Sequence, residues 1–471
     1  MAQAALLMVL VPLAAAVIAW LAPRAAAAVG LAAATGVTLA VAVATAGVAT
    51  EGPLNLVIGG WPTGLGIRIR VDGVSVVFLL ASALVGLAAT VHARDYFARV
   101  TGFWALWLLL WAALNGVFIT GDAFNAYVAL ELVGLAAAAL VTLDGSRPAL
   151  AAGLRYLLVS LAGATAYLGG VALLYATTGT LDLAALSAAA PAGSVTGVAG
   201  ALILTGLMLK AALFPLHTWL PPAHSRAPGP VSAVLSALVV KAALFLAWRW
   251  LVVLPLPAGA EVLAVLGGAA VLWGSVQALR VGRLKGIIAY STVAQMGFLA
   301  MGLGLAGESP QAATGVAYLA LTHALAKGAS FLGAANVIRA AGHDRWPLAA
   351  VGLRGRPLTL MAFALAAVSL AGLPPSGGFV AKWYLLQEAL SAGRFGLGLT
   401  FLASGLLSAA YLYRILQPGL DPRPPAVPAR PPSRAMEWAA LGLGLVVTAL
   451  GVAAAWAPPL VGTGPVVGPG S

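Results

Sequence analysis

Cysteine is absent from this 471-residue chain. Disulfides, thiolate catalysis, zinc–thiolate centres and iron–sulfur ligation are therefore excluded as chemistry of the chain itself. Charge is nearly as scarce: 8% of residues are Asp, Glu, Lys or Arg. A water-soluble domain carries about 25%, so this chain cannot clothe a water-facing surface. The net charge of +12 is not a nucleic-acid footprint in such a chain; no nucleic-acid partner is expected. The five histidines show no metal-ligand spacing, so no metal and no cofactor are expected. "GLGLAG" (302–307) fits G-x-G-x-x-G but ends an apolar run without a βαβ context, which dismisses dinucleotide binding.

What is abundant is apolar: 62% of the chain. Runs of 18 or more apolar residues recur throughout, each enough to cross a hydrocarbon core of about 30 Å as a helix. The N-terminal "MAQAALLMVLVPLAAAVIAWLAPR" lacks a basic start and reads as a first span, not a cleaved signal. Hydropathy and breakers predict an all-α polytopic membrane protein of about fourteen spans. Their limits are 4–22, 27–49, 73–92, 102–120, 123–142, 151–176, 195–220, 230–253, 260–279, 285–305, 311–338, 357–390, 396–416 and 436–457.

Lysine and arginine sort by side across that alternation. Seventeen fall in one set of loops, Arg24 through Arg434 and including Lys285; four, Arg68, Arg70, Arg249 and Arg394, fall in the other. The rich side is expected to be cytoplasmic, with both termini outside. His92, His224 and His343 read as loop residues, His224 on the cytoplasmic side.

The remaining four cations of the 25, Lys210, Lys241, Lys327 and Lys382, lie inside spans. A charge at the bilayer centre costs about 2.5–3.5 kcal/mol on insertion scales, and such residues ordinarily mark ion pathways or relays. Snorkelling to the interface fits Lys382, less easily Lys241, and poorly Lys210 and Lys327. Desolvation lowers a lysine's proton affinity and a nearby carboxylate restores it. A buried lysine is thus a switchable proton site, where arginine would stay charged. Glu131, in "DAFNAYVALELVGL", is the only carboxylate placed deep in a span and the natural partner for Lys210. His323 and Lys327 stand at i and i+4 and share a helix face. His217 and His224 are candidate proton-intake groups. Asp122, near a span end, reads as a helix cap rather than a cation site.

Two of the apolar segments are interrupted. "LMLKAALFPLHTWLPP" (207–222) places Pro215 five residues after Lys210; "LAGLPPSGGFVAKWYLL" places Pro374 and Pro375 shortly before Lys382. Proline removes a donor from the helix ladder. Irregular backbone at membrane depth survives only inside protein or beside a cavity. Paired interruptions of this kind point to an inverted-repeat transporter.

"LKAALFPLHTWLPPAHSRAPGPVSAVLSALVVKAALF", with "FNAYVALEL", "RLKGIIAYSTVAQMGFL", "LTHALAKGASFL" and "LAGLPPSGGFVAKW" in order along about residues 58–390, resembles the antiporter-like membrane subunits. These comprise the proton-pumping membrane subunits of respiratory complex I, of related hydrogenases, and of Mrp multisubunit Na⁺/H⁺ antiporters. The resemblance implies fourteen helices with two inverted five-helix repeats and two broken helices. The corresponding division is residues 1–100 (three spans and an outer hairpin loop), 101–254 (first repeat), 255–416 (second, inverted repeat) and 417–471 (proline-rich cytoplasmic loop and last helix).

By the same resemblance Glu131 matches the family glutamate and Lys210 its lysine partner. Lys241, His323 and Lys327 match the connecting axis, and Lys382 the terminal lysine. The implied partners are H⁺, Na⁺ for an antiporter, the lipid bilayer and other membrane subunits, in a prokaryotic plasma membrane. Ser236, where some relatives carry histidine, and "GGWPTGLGI" favour the Mrp branch, and within it the D-type subunits. A complex I or hydrogenase subunit is the alternative.

Overall fold

The computed structural model describes residues 1–453 except 61–65, 99, 101, 191–192, 255, 308 and 421–429. Arg99, Arg423, much of the proline-rich loop and the end of the last expected span lie outside the described residues.

The chain is built from helices: α1 (Ala2–Leu21), α2 (Ala26–Glu51), α3 (Gly73–Tyr96), α4 (Gly102–Ile119), α5 (Ala123–Val141) and α6 (Arg147–Thr178). Next come the short α7 (Leu183–Ala189), then α8 (Ser194–Lys210) and α9 (Leu220–Arg226). The segment Gly229–Val253 is one span in which α10 (Gly229–Val234) passes through a π-helical turn (Leu235–Val239) into α11 (Val240–Val253). Then follow α12 (Pro257–Arg280), α13 (Leu284–Leu303), α14 (Pro310–Ala341), α15 (Pro357–Ala371), α16 (Gly377–Ser391), α17 (Phe395–Leu416) and α18 (Arg434–Val452). Among the described residues, 11 helices are long and apolar enough to cross a membrane, and the protein is a multi-pass membrane protein.

One correction to an all-helical reading lies between α2 and α3. Strand β1 (Leu54–Val57) pairs antiparallel with β2 (Arg68–Val71), Leu54 opposite Val71 and Val57 opposite Arg68. The hairpin hands the chain to α3, whose N-cap Asp72 accepts the Ser75 amide at 3.0 Å. Asp122 likewise caps α5, accepting the Asn125 amide at 2.6 Å.

The outer surface is apolar. Leu21, Leu39, Leu399, Leu406 and Val452 all stand exposed, as lipid demands and water forbids. Three elements form the middle of the bundle: α10–α11, α13 and α14 are enclosed by protein along almost all their length. The peripheral helix α6 meets α8 so closely that a Cβ on Gly206 would stand 2.3 Å from the Gly163 carbonyl oxygen. Small residues allow such backbone approach in membrane bundles, and this one presses the C-terminal end of α8, where Lys210 sits, against α6.

Both interruptions are real breaks. After α8 the chain turns through residues 211–219, with Ala212 left-handed at φ 53°, before α9 begins. Between α15 and α16 it turns through 372–376, with Gly372 at φ 80°. The region read as one span, 357–390, is therefore two half-helices. The physical cause is the same in each: Pro215, and then Pro374 and Pro375, have no N–H to give the carbonyl four residues back.

Candidate functional site

Lys210 is the last residue of α8, where a cation meets the negative end of the helix dipole. Its ammonium donates to Glu131 Oε1 at 3.1 Å and to Ser160 Oγ at 2.9 Å, drawing α5, α6 and α8 together. The lysine side chain is 6% exposed and the glutamate 19%. A cavity of about 10 Å³ adjoins the pair, lined by Leu130, Gly134, Tyr156, Ser160 and Trp219, roughly the least volume that holds a water. The Leu209 carbonyl beside the break accepts from Trp219 Nε1 at 2.8 Å.

Lys241 is fully enclosed and donates to the Ser236 carbonyl, inside the π turn, at 3.0 Å. Ser236 also bonds Thr292 across to α13 at 2.8 Å. Lys327 is equally enclosed, donating to the Ile288 carbonyl at 3.0 Å and in a short contact to Ser291 Oγ. His323, one turn earlier on the same face, lies within electrostatic reach of Lys241, Lys327 and Lys382. Neither of its ring nitrogens has a hydrogen-bond partner among the described residues.

Lys382 projects from the second turn of α16 back to the end of α15. Its ammonium donates to the Leu370 carbonyl at 2.7 Å, the very carbonyl that Pro374 leaves without its helical donor. The ammonium also stands 4.5 Å from the centre of the Phe298 ring, a cation–π contact. A cavity of about 410 Å³, lined among others by Gly372, Phe379, Trp383, Phe401 and Leu406, opens from Lys382 to the side of the bundle.

The structure thus gathers Glu131 with Lys210, and Lys241, His323, Lys327 and Lys382 in a second group. Several sequence-level placements are corrected. His224 is not a loop residue: it is wholly buried in α9, against Phe331 and within reach of Lys241, Lys285 and Lys327, with both nitrogens lacking described partners. His217 lies in the break after Pro215, buried and stacked on Phe214. Lys285, counted with the loops, is buried and donates to the Ala227 carbonyl at 2.5 Å.

His92 is buried in α3 and bonds Asn336 at 3.0 Å; Asn336 and Thr359 link it onward to the buried carboxylate Glu437, in α18. Arg249, counted with an outer loop, grips Asp72 through two bonds of 2.6 Å. These pairings were missed because each joins residues far apart in sequence. The visible signal was a polar residue in an otherwise apolar run, as with Ser160 in "YLLVSLAG".

Outside the spans, burial pushes the Asp72 carboxyl upward, but the Arg249 guanidinium and the Ser75 amide outweigh it and hold it at about 2. Arg68 Nε stands 2.6 Å from Asp182, close in distance but off-line for a hydrogen bond, and ties β2 to the cap of α7.

The fold and site together define a multi-pass membrane protein whose spans enclose a row of ionisable side chains. More particularly, the chain belongs to the NADH:quinone oxidoreductase/Mrp antiporter transmembrane family, which matches residues 120–408. It is 37% identical over 450 residues to the N-type subunit of the NADH-quinone oxidoreductase of Desulforudis audaxviator (strain MP104C), covering 89% of each chain. It is 27% identical over 383 residues to the D-type subunit of the Na⁺/H⁺ antiporter of Bacillus subtilis (strain 168), covering 78% of this chain and 76% of the relative. A chain of the Mrp complex from Dietzia sp. DQ12-45-1b superimposes with a TM-score of 0.88 at 28% identity, over 98% of this chain and 97% of the other.

Proposed function

We propose that the chain is the proton-translocating membrane subunit, of the D type, in a multisubunit monovalent cation/proton antiporter. The observation that carries the reading is the row of enclosed lysines that begins in the Lys210–Glu131 pair. Protons enter from the cytoplasmic side past His224 and His217 to Lys210, whose affinity Glu131 sets. They pass by way of Lys241, His323 and Lys327 to Lys382, and exchange with the outer face there; the driving force sets the direction. H⁺ is the ion that the lysine row suits, and Na⁺ is the exchanged cation of an antiporter assembly.

In this reading the eleven long apolar helices, α14 and the two broken helices make fourteen crossings. Spans four to eight and nine to thirteen are two inverted repeats, with both termini outside a prokaryotic plasma membrane. The partners are the other membrane subunits of the assembly. A second reading, a proton-pumping subunit of an NADH-quinone oxidoreductase or membrane-bound hydrogenase, is favoured by the 37% identity to an N-type subunit. The residues would serve either machine; redox groups would lie in other chains.

The test is E131A and K210A in the native assembly, reconstituted in vesicles. Loss of proton movement by about 10²-fold or more, the scale for removing a proton-transfer group, with assembly intact is expected; transport at the wild-type rate rejects the scheme. Identifying the co-purifying subunits separates the readings: small antiporter subunits support the first, and flavin or iron–sulfur subunits the second.

A further inference from the structure

Between Lys327 and Lys382 lies a line of hydroxyls on α13 and α17 that the lysine row does not include. Ser291 Oγ receives the Lys327 ammonium. The Tyr411 hydroxyl bonds Ser408 Oγ at 3.0 Å and lies near Ser291 and Gln295 without a hydrogen bond to either. Gln295 Nε2 donates both to Ser408 Oγ and to the Leu370 carbonyl, each at 3.2 Å. That carbonyl is the one holding Lys382 at 2.7 Å. All four side chains are buried, and Tyr411 is 0% exposed. Burying so many polar groups in an apolar bundle is costly unless they bond one another, and here they stand in one line between two lysines, hydrogen-bonded at every step but that from Ser291 to Tyr411.

We propose that Tyr411, flanked by Ser291 and Ser408, carries protons between Lys327 and the surroundings of Lys382, with Gln295 as the positioning residue. The proposal rests on the reading of the lysine row as a proton path. Serine and tyrosine hydroxyls both donate and accept, whereas the Gln295 amide nitrogen only donates. The amide therefore orients the line and does not pass protons along it. Neutral Lys327 takes the Ser291 proton, Ser291 takes that of Tyr411, Tyr411 takes that of Ser408, and Ser408 takes one relayed by a water from the Lys382 ammonium, which is left neutral. One proton moves, no hydroxyl ends charged, and rotation of the three O–H bonds resets the line. Ser291 now points its proton at the Ile288 carbonyl at 2.9 Å, so the first event is the swing of that O–H toward Lys327. His323 offers the competing route, but its ring nitrogens touch no described hydrogen-bonding group.

The decisive variant is Y411F, which keeps the ring and its packing and removes only the hydroxyl. In vesicles holding the whole assembly, proton movement is read with a pH-sensitive dye, and assembly is checked on native gels. We expect a loss of roughly a hundredfold with assembly unchanged, and a loss of the same order in S408A, which serves as the second variant should Y411F fail to assemble. A rate within about twofold of wild type in Y411F or in an assembled S408A, an energetic effect too small for a step on the path, overturns the relay. K327A separates this failure from that of the broader reading. If K327A abolishes transport while Y411F does not, only the hydroxyl line is wrong; if both are silent, the lysine row itself is not a proton path.

Discussion

A buried charge must find its compensation within a few ångströms, and in this molecule the lysines of the row find it in two ways. Lys210 has a carboxylate; Lys241, Lys327 and Lys382 have carbonyls, at Ser236, Ile288 and Leu370. A neutral carbonyl offers an ammonium less compensation than a carboxylate does. The Arg249–Asp72 pair is the opposite design. Its two short bonds and permanently charged guanidinium suit a fixed latch between α11 and α3, not a titrating site. R249A should strip Asp72 of its buried partner and leave only the more exposed Arg70, 3.1 Å away, at a cost of up to about 3–5 kcal/mol, seen as a lowered Tm of the purified protein. The Asp72 carboxyl is held below its ordinary value of 3.8, at about 2. Its stabilising contribution is therefore complete above pH 4 and lost as pH falls through about 2. Acid titration of stability should show that loss in full in the wild type and diminished in R249A, where Arg70 is the remaining cation.

At the scale of the element, the broken helices make the site. An unbroken α15–α16 would spend the Leu370 carbonyl on its own ladder; Pro374 releases it to Lys382 and Gln295. Gly372 completes the turn. Its φ of 80° suits glycine, and a Cβ there would stand 2.6 Å from Lys382 Cδ. G372A should cost about 1–2 kcal/mol in backbone conformation and push the Lys382 side chain off the Leu370 carbonyl. Under the proposed function, we expect transport in vesicles to fall while the helical content measured by circular dichroism stays that of the wild type. The π turn acts in the same way, setting the Ser236 carbonyl in front of Lys241. The two breaks were legible in the sequence because proline acts locally. The π turn was not, since nothing in "LSALV" departs from ordinary helix composition.

At the scale of the whole molecule, a lipid-facing shell surrounds an enclosed core of α10–α11, α13 and α14. The absence of cysteine makes its orientation directly measurable. N55C, on the hairpin, and H343C, after α14, both lie at exposed positions. With a membrane-impermeant thiol reagent on intact cells, N55C should label and H343C should not, and inverted vesicles should reverse the pattern. The opposite result would turn the proposed topology over and with it the assignment of His224 to the intake side.

Composition and order alone determined that the chain crosses a membrane many times, where prolines break its helices, and that Lys210, Lys241, Lys327 and Lys382 lie within spans. Insertion cost and proline geometry are local properties, summed over a few turns of chain. Only the tertiary structure decided which groups meet. Glu131 and Lys210 are 79 residues apart, Asp72 and Arg249 177, and His92 and Asn336 244. It moved His92, His224, Lys285 and Arg249 from loops into the interior, and it added a hairpin that hydropathy does not register. Whether a polar side chain at the end of a span faces water or protein depends on the helices packed against it, and that is set by contacts between distant parts of the chain.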